Sequence, residues 1–511
     1  MIAEEKSINS LLLKKIFTHS LLISLLMFNA HIINKLAAQQ FNGFLNSDFS
    51  GVLGVRTNPA SVAKSPYKFD FNLINGNFYV GNNIADLVTT EEGLGIIRKE
   101  TERDKFFKGN FGLGGLSALL SLSRDRGIAL QYRMRALANG SEITPNFVFQ
   151  FNRFSNPAFF DTSYANETLV LSTLAWQEIA LTYGGVLKDD GFHRWKMGVT
   201  LKAVNPTGHL WADLAGADYT IDGNGQVEFS RLDLNAGYSS NLDRYEQFDG
   251  TEALAIPPQG LGYSLGGADI GLTYERVAYL PDPKTAKGTS RERDITYEFK
   301  VSASITDIGT LSFEQGSAAF NSLGLDAGAG IINFDNLLDS ASSFRQLRDS
   351  LDTFLNLEDV TAAYTVSLPT ALRLNYDYNF GNNFFVNASG VMDLSWAMPT
   401  DYRVSYANSI TVTPRYETGQ YGVYLPMFHD FAGKTHLGLG ARYGPLTMGT
   451  HTLGALFASE RDSFGFYFSL SLNLLKANSD KPYCFGAGRT GSAFVRKERT
   501  PIYKRKKFIF F

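Results

Sequence analysis

Residues 463–475 read SFGFYFSLSLNLL, and their alternation decides the fold. Phe464, Phe466, Phe468, Leu470, Leu472 and Leu474 recur at every second position, with Gly465, Tyr467, Ser469, Ser471 and Asn473 between them. A period of two belongs to an extended strand, in which successive side chains point to opposite sides. One face is apolar from end to end; the other is small and polar. Such a strand separates an apolar medium from a polar one. Whether that apolar medium is a protein core or a lipid bilayer is the question the rest of the chain has to answer.

The same pattern recurs upstream. Tyr67, Phe69, Phe71 and Leu73 oppose Lys68, Asp70 and Asn72, and Ile128, Leu130, Tyr132 and Met134 oppose Gln131, Arg133 and Arg135. Trp195, Met197, Val199 and Leu201 oppose Lys196, Thr200 and Lys202, and Ile270, Leu272 and Tyr274 oppose Asp269, Thr273 and Glu275. Tyr297, Phe299, Val301, Ala303 and Ile305 oppose Glu298, Lys300, Ser302, Ser304 and Thr306. Leu372, Leu374, Tyr376, Tyr378 and Phe380 oppose Arg373, Asn375, Asp377 and Asn379, and Leu437, Leu439, Ala441 and Tyr443 oppose Gly438, Gly440 and Arg442. Turn-competent tetrads and triads such as Arg124-Asp125-Arg126-Gly127, Asp189-Asp190-Gly191 and Gly381-Asn382-Asn383 link such runs into hairpins. The count is about 14 strands, many near the 9 to 11 residues that cross a bilayer at a tilt, against five or six for an ordinary strand. Strand length is the physical argument for lipid. The reading is all-β: a single transmembrane antiparallel barrel, with helical insertions in its rim loops.

Composition agrees. The 511 residues include 48 Gly, 24 Tyr and 40 Phe with only 19% charged residues, which suits strands and tight turns. A net charge of -3 argues against a nucleic-acid partner. The single cysteine, Cys484, excludes an internal disulfide framework and a cysteine-built zinc site. The histidines are scattered, with no metal-enzyme spacing and no nucleophile elbow, P-loop or strand-linked glycine fingerprint. No cofactor, metal site or enzymatic function is expected.

Four regions organise the chain. Lys14 and Lys15, the apolar run Leu21 to Phe28 and the small pair Ala37 and Ala38 read as a secretory signal over residues 1–38, an N-terminal amphipathic helix being the alternative. Residues 39–66 have no period and contain Asn58-Pro59-Ala60, in which Asn58 and Pro59 initiate a turn. Residues 67–475 hold the strands. Residues 476–511 carry ten basic residues against Asp480 and Glu498 and read as a disordered basic tail or a contact for anionic groups. Within the strand region, Ala85 to Lys108 reads as holding a short helix, Asn241 to Gln259 as loop, and Phe334 to Leu357 as the clearest helix.

The candidate site is the polar face. Lys68, Asp70, Arg133, Arg135, Lys196, Lys202, Asp269, Glu275, Glu298, Lys300, Arg373, Asp377 and Arg442 all sit on polar faces of otherwise apolar strands, with both signs present. Inside a narrow barrel such charges pair, because a lone charge away from water is costly. They read as a salt-bridge lattice filling the lumen or as a selectivity lining.

Several stretches resemble an uncharacterised outer-membrane barrel family of Bacteroidota: FNGFLNSDFSGVLGVRTNPASVAKSPYKFDFNLINGNFYVGNN from Phe41, SITDIG at Ser304, LPTALRLNYDYNFGNNFFVNA at Leu368, TPRYETGQYGVYLP at Thr413 and LGLGARYGPLTMGT at Leu437. More distantly, NPA ahead of a barrel is similar to the FadL fatty-acid transporters and to the PorV and PorP/SprF proteins linked to type IX secretion and gliding. The resemblance implies a cell outer-membrane location, a lumen plugged by the N-terminal segment, and Asn58, Pro59 and Ala60 as the turn of that plug. It implies lipid as a partner and a small hydrophobic molecule as the ligand bound or passed. The alternative is a non-transporting scaffold for surface proteins or secretion machinery.

Overall fold

The computed structural model describes residues 43–90, 93–98, 105–146, 160–224, 226–244, 262–277, 297–325, 343–430, 435–454, 460–461 and 463–475. They form a closed antiparallel barrel of 14 strands. In chain order the strands are β1 (Tyr67–Asn82), β2 (Lys105–Ser121), β3 (Arg126–Ile143), β4 (Thr162–Asp189), β5 (His193–Ile221), β6 (Ser264–Val277) and β7 (Tyr297–Phe313). They continue as β8 (Ala371–Gly381), β9 (Phe384–Asp393), β10 (Ser409–Glu417), β11 (Tyr421–Tyr424 and Met427–Asp430), β12 (Thr435–Leu437 and Leu439–Tyr443), β13 (Leu446–Thr450) and β14 (Ser463–Leu475). The last strand closes on the first, with Tyr67 opposite Leu475 and Gly81 opposite Ser463. Pro426 and Gly438 interrupt β11 and β12, because proline cannot donate to the ladder.

The faces divide as the alternation requires. On β14, Ser463, Gly465, Tyr467 and Ser469 are buried, while Phe464, Phe466, Phe468 and Leu470 are partly exposed on the outside. Leu130, Leu181 and Leu201 lie opposite one another on three successive strands, each about half exposed. With Leu272, Val301 and Leu374 they make an apolar belt whose contact with water would cost about 25 cal/mol per Å². Near one rim, Trp195 lies 4.8 Å from Tyr274, which lies 6.0 Å from Phe299, itself 6.0 Å from Tyr376. A row of outward aromatics beside an apolar belt is the girdle that sits at a membrane interface.

The two rims differ. At the girdle end the connections after β2, β4, β8, β10 and β12 are a few residues each and only the one after β6, residues 278–296, is long, while the opposite end carries most of the long ones. There β4 and β5 run on for 28 and 29 residues and build a second core with the strand Val227–Tyr238, the strand Phe320–Leu325 and the helix Phe344–Leu351. Tyr219, Phe229, Phe320, Leu351 and Phe354 are buried in it. A third core lies toward this end: Trp176 and Val204 on the wall meet Tyr364, Val366, Val404 and Tyr406 from the segments flanking β8 and β9.

One helix expectation fails here and a second holds only in part. Within Ala85 to Lys108, residues Ala85–Thr90 and Gly93–Arg98 pair as a hairpin with Leu87 opposite Ile96, in keeping with the β-branched run Val88, Thr89 and Thr90. Of Phe334 to Leu357, residues 334–342 lie outside the described residues, and only Phe344–Leu351 is helical, capped by Ser343, which accepts from the Gln346 N–H. Leu355–Asp359 is a strand paired with Phe320–Leu325, so the leucines that continue the helical spacing fill the second core from an extended chain. In Asn241 to Gln259, Ser240–Arg244 is a single 3-10 turn, and residues 245–259 lie outside the described residues, as do 1–38 and 476–511.

Candidate functional site in the lumen

Residues 43–66 lie inside the barrel. Ser47 caps a 3-10 run, Asp48–Arg56, by accepting from the Phe49 N–H, and Asn58 caps a second, Pro59–Val62, by accepting from the Ala60 N–H at 2.8 Å. Asn58 Nδ2 also donates to the Leu272 carbonyl at 3.2 Å and to Thr273 Oγ1 at 3.3 Å on β6. Pro59 lies so close to β5 that a Cβ on Gly198 would fall 2.4 Å from its carbonyl. Gly51 has φ +57, and a Cβ there would meet the Asp70 carboxylate at 2.1 Å. Asp70 instead accepts from the Val52 N–H at 2.6 Å. Phe44, Leu45, Val52, Leu53, Val55 and Val62 form a small apolar core with Leu119, Ala129, Tyr424 and Tyr467 of the wall.

Around this segment the inward charges fall into two sets, the first made of two separate chains of ion pairs. In the first, fully buried Arg415 clamps Asp377 at 2.5 and 2.7 Å and donates from Nε to Glu417 at 2.7 Å. Tyr297 donates to Asp377 at 2.5 Å, and Lys300 bridges Asp377 and Asp48 of the inner segment at 3.7 and 3.0 Å. Lys196 pairs with Glu275, Glu275 with Arg194 at 2.8 Å, Arg194 with Asp189 at 2.8 Å, and Asp189 with Lys64 of the inner segment at 3.0 Å. In the second set, Arg135 clamps Asp307 at 2.7 and 2.9 Å and reaches Glu178 at 3.1 Å, while Arg133 pairs with Glu178. Lys202 holds Asp269 at 2.5 Å and Asp307 at 2.6 Å. Burial would push the Asp48 carboxyl up, but Lys300, Lys196 and Arg415 outweigh it and hold it below the usual range.

The predicted charges are therefore placed as follows. Asp70, Arg133, Arg135, Lys196, Lys202, Asp269, Glu275, Lys300, Asp377 and Arg442 are buried inside. Arg373 is half-buried, donating to Thr306 at 3.1 Å and stacking 4.9 Å from the Tyr406 ring. Lys68 and Glu298 differ: both are exposed, because each sits in a bulge where the register slips, between Tyr67 and Phe69 and between Tyr297 and Phe299. The extra residue turns Tyr67 and Tyr297 inward, off the apolar face that alternation assigns them. Glu178, Arg194, Arg415 and Glu417 complete the lattice and could have been found by period two, as in Thr411, Thr413, Arg415 and Glu417 opposite Ile410, Val412 and Tyr416. Asp307 could not, because it lies in a bulge with φ +59.

A cavity of about 120 Å³ remains between the inner segment and β5 to β10. Its surface is polar and apolar in about equal parts, with Asp48, Asn58 and Ser61 on one side and Lys196, Lys300, Arg373, Asn375 and Tyr406 on the other.

A family model described as a family of unknown function, DUF5723, matches residues 59–451. The chain belongs to that family. No curated protein matches it. Among solved structures, this DUF5723 chain is similar to the P. putida toluene transporter TodX at 11% identity and TM-score 0.36, covering 87% of this chain and 100% of that one. It is similar to a Pseudomonas aeruginosa FadL homologue at 10% identity and TM-score 0.35, covering 82% and 93%. It is similar to the Ralstonia pickettii toluene transporter TbuX at 11% identity and TM-score 0.27, covering 82% and 92%.

Proposed function

We propose that this protein is a Bacteroidota outer-membrane barrel with a closed lumen. It serves as a non-transporting scaffold or anchor for surface proteins or for type IX secretion and gliding machinery. The observation that carries this reading is the lumen. Its lattice ties the inner segment to the wall through Lys300 to Asp48 and Asp189 to Lys64, and the cavity beside that segment is about 120 Å³, with charged groups on both sides. A small-molecule site is typically about 300–1,000 Å³ and mainly apolar. The long-loop rim, with its own buried core, supplies a rigid platform for a protein partner. An apolar girdle and belt supply the lipid contact.

Passage of a small hydrophobic molecule is the competing reading. It needs a continuous apolar route past the inner segment, and the charged lining of the cavity works against one. The distinguishing experiment is extraction in mild detergent followed by affinity purification. The scaffold reading expects defined surface or secretion proteins to co-purify with the wild type and to be lost when the rim segment 314–362 is replaced by a short linker. Recovery of the barrel alone under every mild extraction would contradict it.

A further inference from the structure

The second lumen set holds a positive charge that its acids do not balance. Arg56 of the inner segment stands beside Arg133 and Arg135 of β3, and Lys202 of β5 shares the same acids; those acids are Glu178, Asp269 and Asp307. Four cations thus face three carboxylates in a buried space. A guanidinium stays protonated, so it cannot relieve the excess by losing its proton at neutral pH. Arg56 is 7% exposed and Arg133 6%. Arg56 Nη1 donates to Asn75 Oδ1 at 2.8 Å, but Arg56 Nε and Nη2, Arg133 Nε and Asn110 Nδ2 have no acceptor among the described residues.

Arg56, Arg133 and Asn110 line one small pocket, of about 10 Å³, together with Asn75, Asn77 and Arg135 and beside Leu45 and Phe111. Gly114 of β2 makes room for it: a Cβ there would fall 3.0 Å from Arg56 Nη2. Convergent donors, an excess of positive charge and a volume near that of one water describe a site for a single small anion. A water could accept from two of the donors and would leave the charge unbalanced.

We propose that Arg56, Arg133 and Asn110 bind one small monovalent anion of halide size. That anion joins the inner segment to β2 and β3, so the docking of the segment depends on it. Burial and the neighbouring Arg133 charge push the Arg56 guanidinium well below its usual range, the sense expected of an unbalanced cation. The site is independent of whether the barrel transports or anchors.

The experiment uses the full chain in detergent, with thermal unfolding followed at constant ionic strength in sodium chloride, bromide or gluconate. The expected result is a melting temperature that rises saturably with chloride and with bromide but not with bulky gluconate. Arg56→Gln removes the excess charge and is expected to abolish the halide dependence. Asn110→Ala keeps every charge and loses one donor to the anion, so half-saturation is expected to need about tenfold more chloride. Crystals grown in bromide are expected to show an anomalous peak between Arg56 and Arg133. Equal melting temperatures in all three salts, or ordered bromide only elsewhere, would overturn the proposal.

Discussion

Asp377 shows what the lumen asks of a single residue. It is wholly buried and takes two bonds from Arg415, one from Tyr297 and the longer contact from Lys300. Replacing one partner of a buried pair strands the other, at about 3–5 kcal/mol. Asp377→Asn keeps the shape and loses the charge, so it should cost most of that, read as a lower denaturant midpoint and a lower temperature for heat-modifiable migration. Arg373→Ala should cost far less, since Arg373 is half-buried and holds a hydroxyl and a ring rather than a carboxylate. Asp48 makes the docking of the inner segment sensitive to pH. Its carboxyl is held below the ordinary range, so its contribution is present above the unfolded value near about 4 and fades as pH falls through the lower folded value. Limited proteolysis of the inner segment should accelerate only below about pH 4, and Asp48→Asn should flatten that profile. At this scale the sequence was legible wherever period two held, as for Lys202 and Asp269. It failed at Lys68 and Glu298, because a bulge shifts the face by one residue without changing composition.

Among the elements, the inner segment depends on backbone that only glycine adopts comfortably at Gly51. There φ is +57 and the Asp70 carboxylate occupies the position a side chain would take. Gly51→Ala should therefore release the segment while the barrel, built from β1 to β14, stays folded. Proteolysis near residues 48–56 with an unchanged far-ultraviolet circular dichroism spectrum would show this. An inner segment as resistant as in the wild type would count against it. The barrel strands were readable because lipid on one side and polar groups on the other impose alternation along each. The connections were less so. Leucines in residues 334–357 keep helical spacing, yet Leu355 and its neighbours lie in a strand against Phe320–Leu325. Spacing alone does not distinguish a helix from a strand that feeds the same core.

For the whole molecule, the closing pair β1 and β14 and the separation of faces follow from the stretch at residues 463–475. The seating of residues 43–66 inside the barrel does not. It depends on long-range partners, such as Lys300 with Asp48, that no local pattern announces. Under the proposed scaffold function, the ties of the inner segment to the wall and the packing of Tyr364, Val404 and Tyr406 toward the other end hold the rim in place. The measurement that tests this most directly is uptake of a labelled monoaromatic hydrocarbon or fatty acid into vesicles with a lipopolysaccharide outer leaflet, with and without the protein. A closed scaffold predicts the same rate in both, for the wild type and for Arg373→Ala. A saturable, protein-dependent rise in uptake would contradict it.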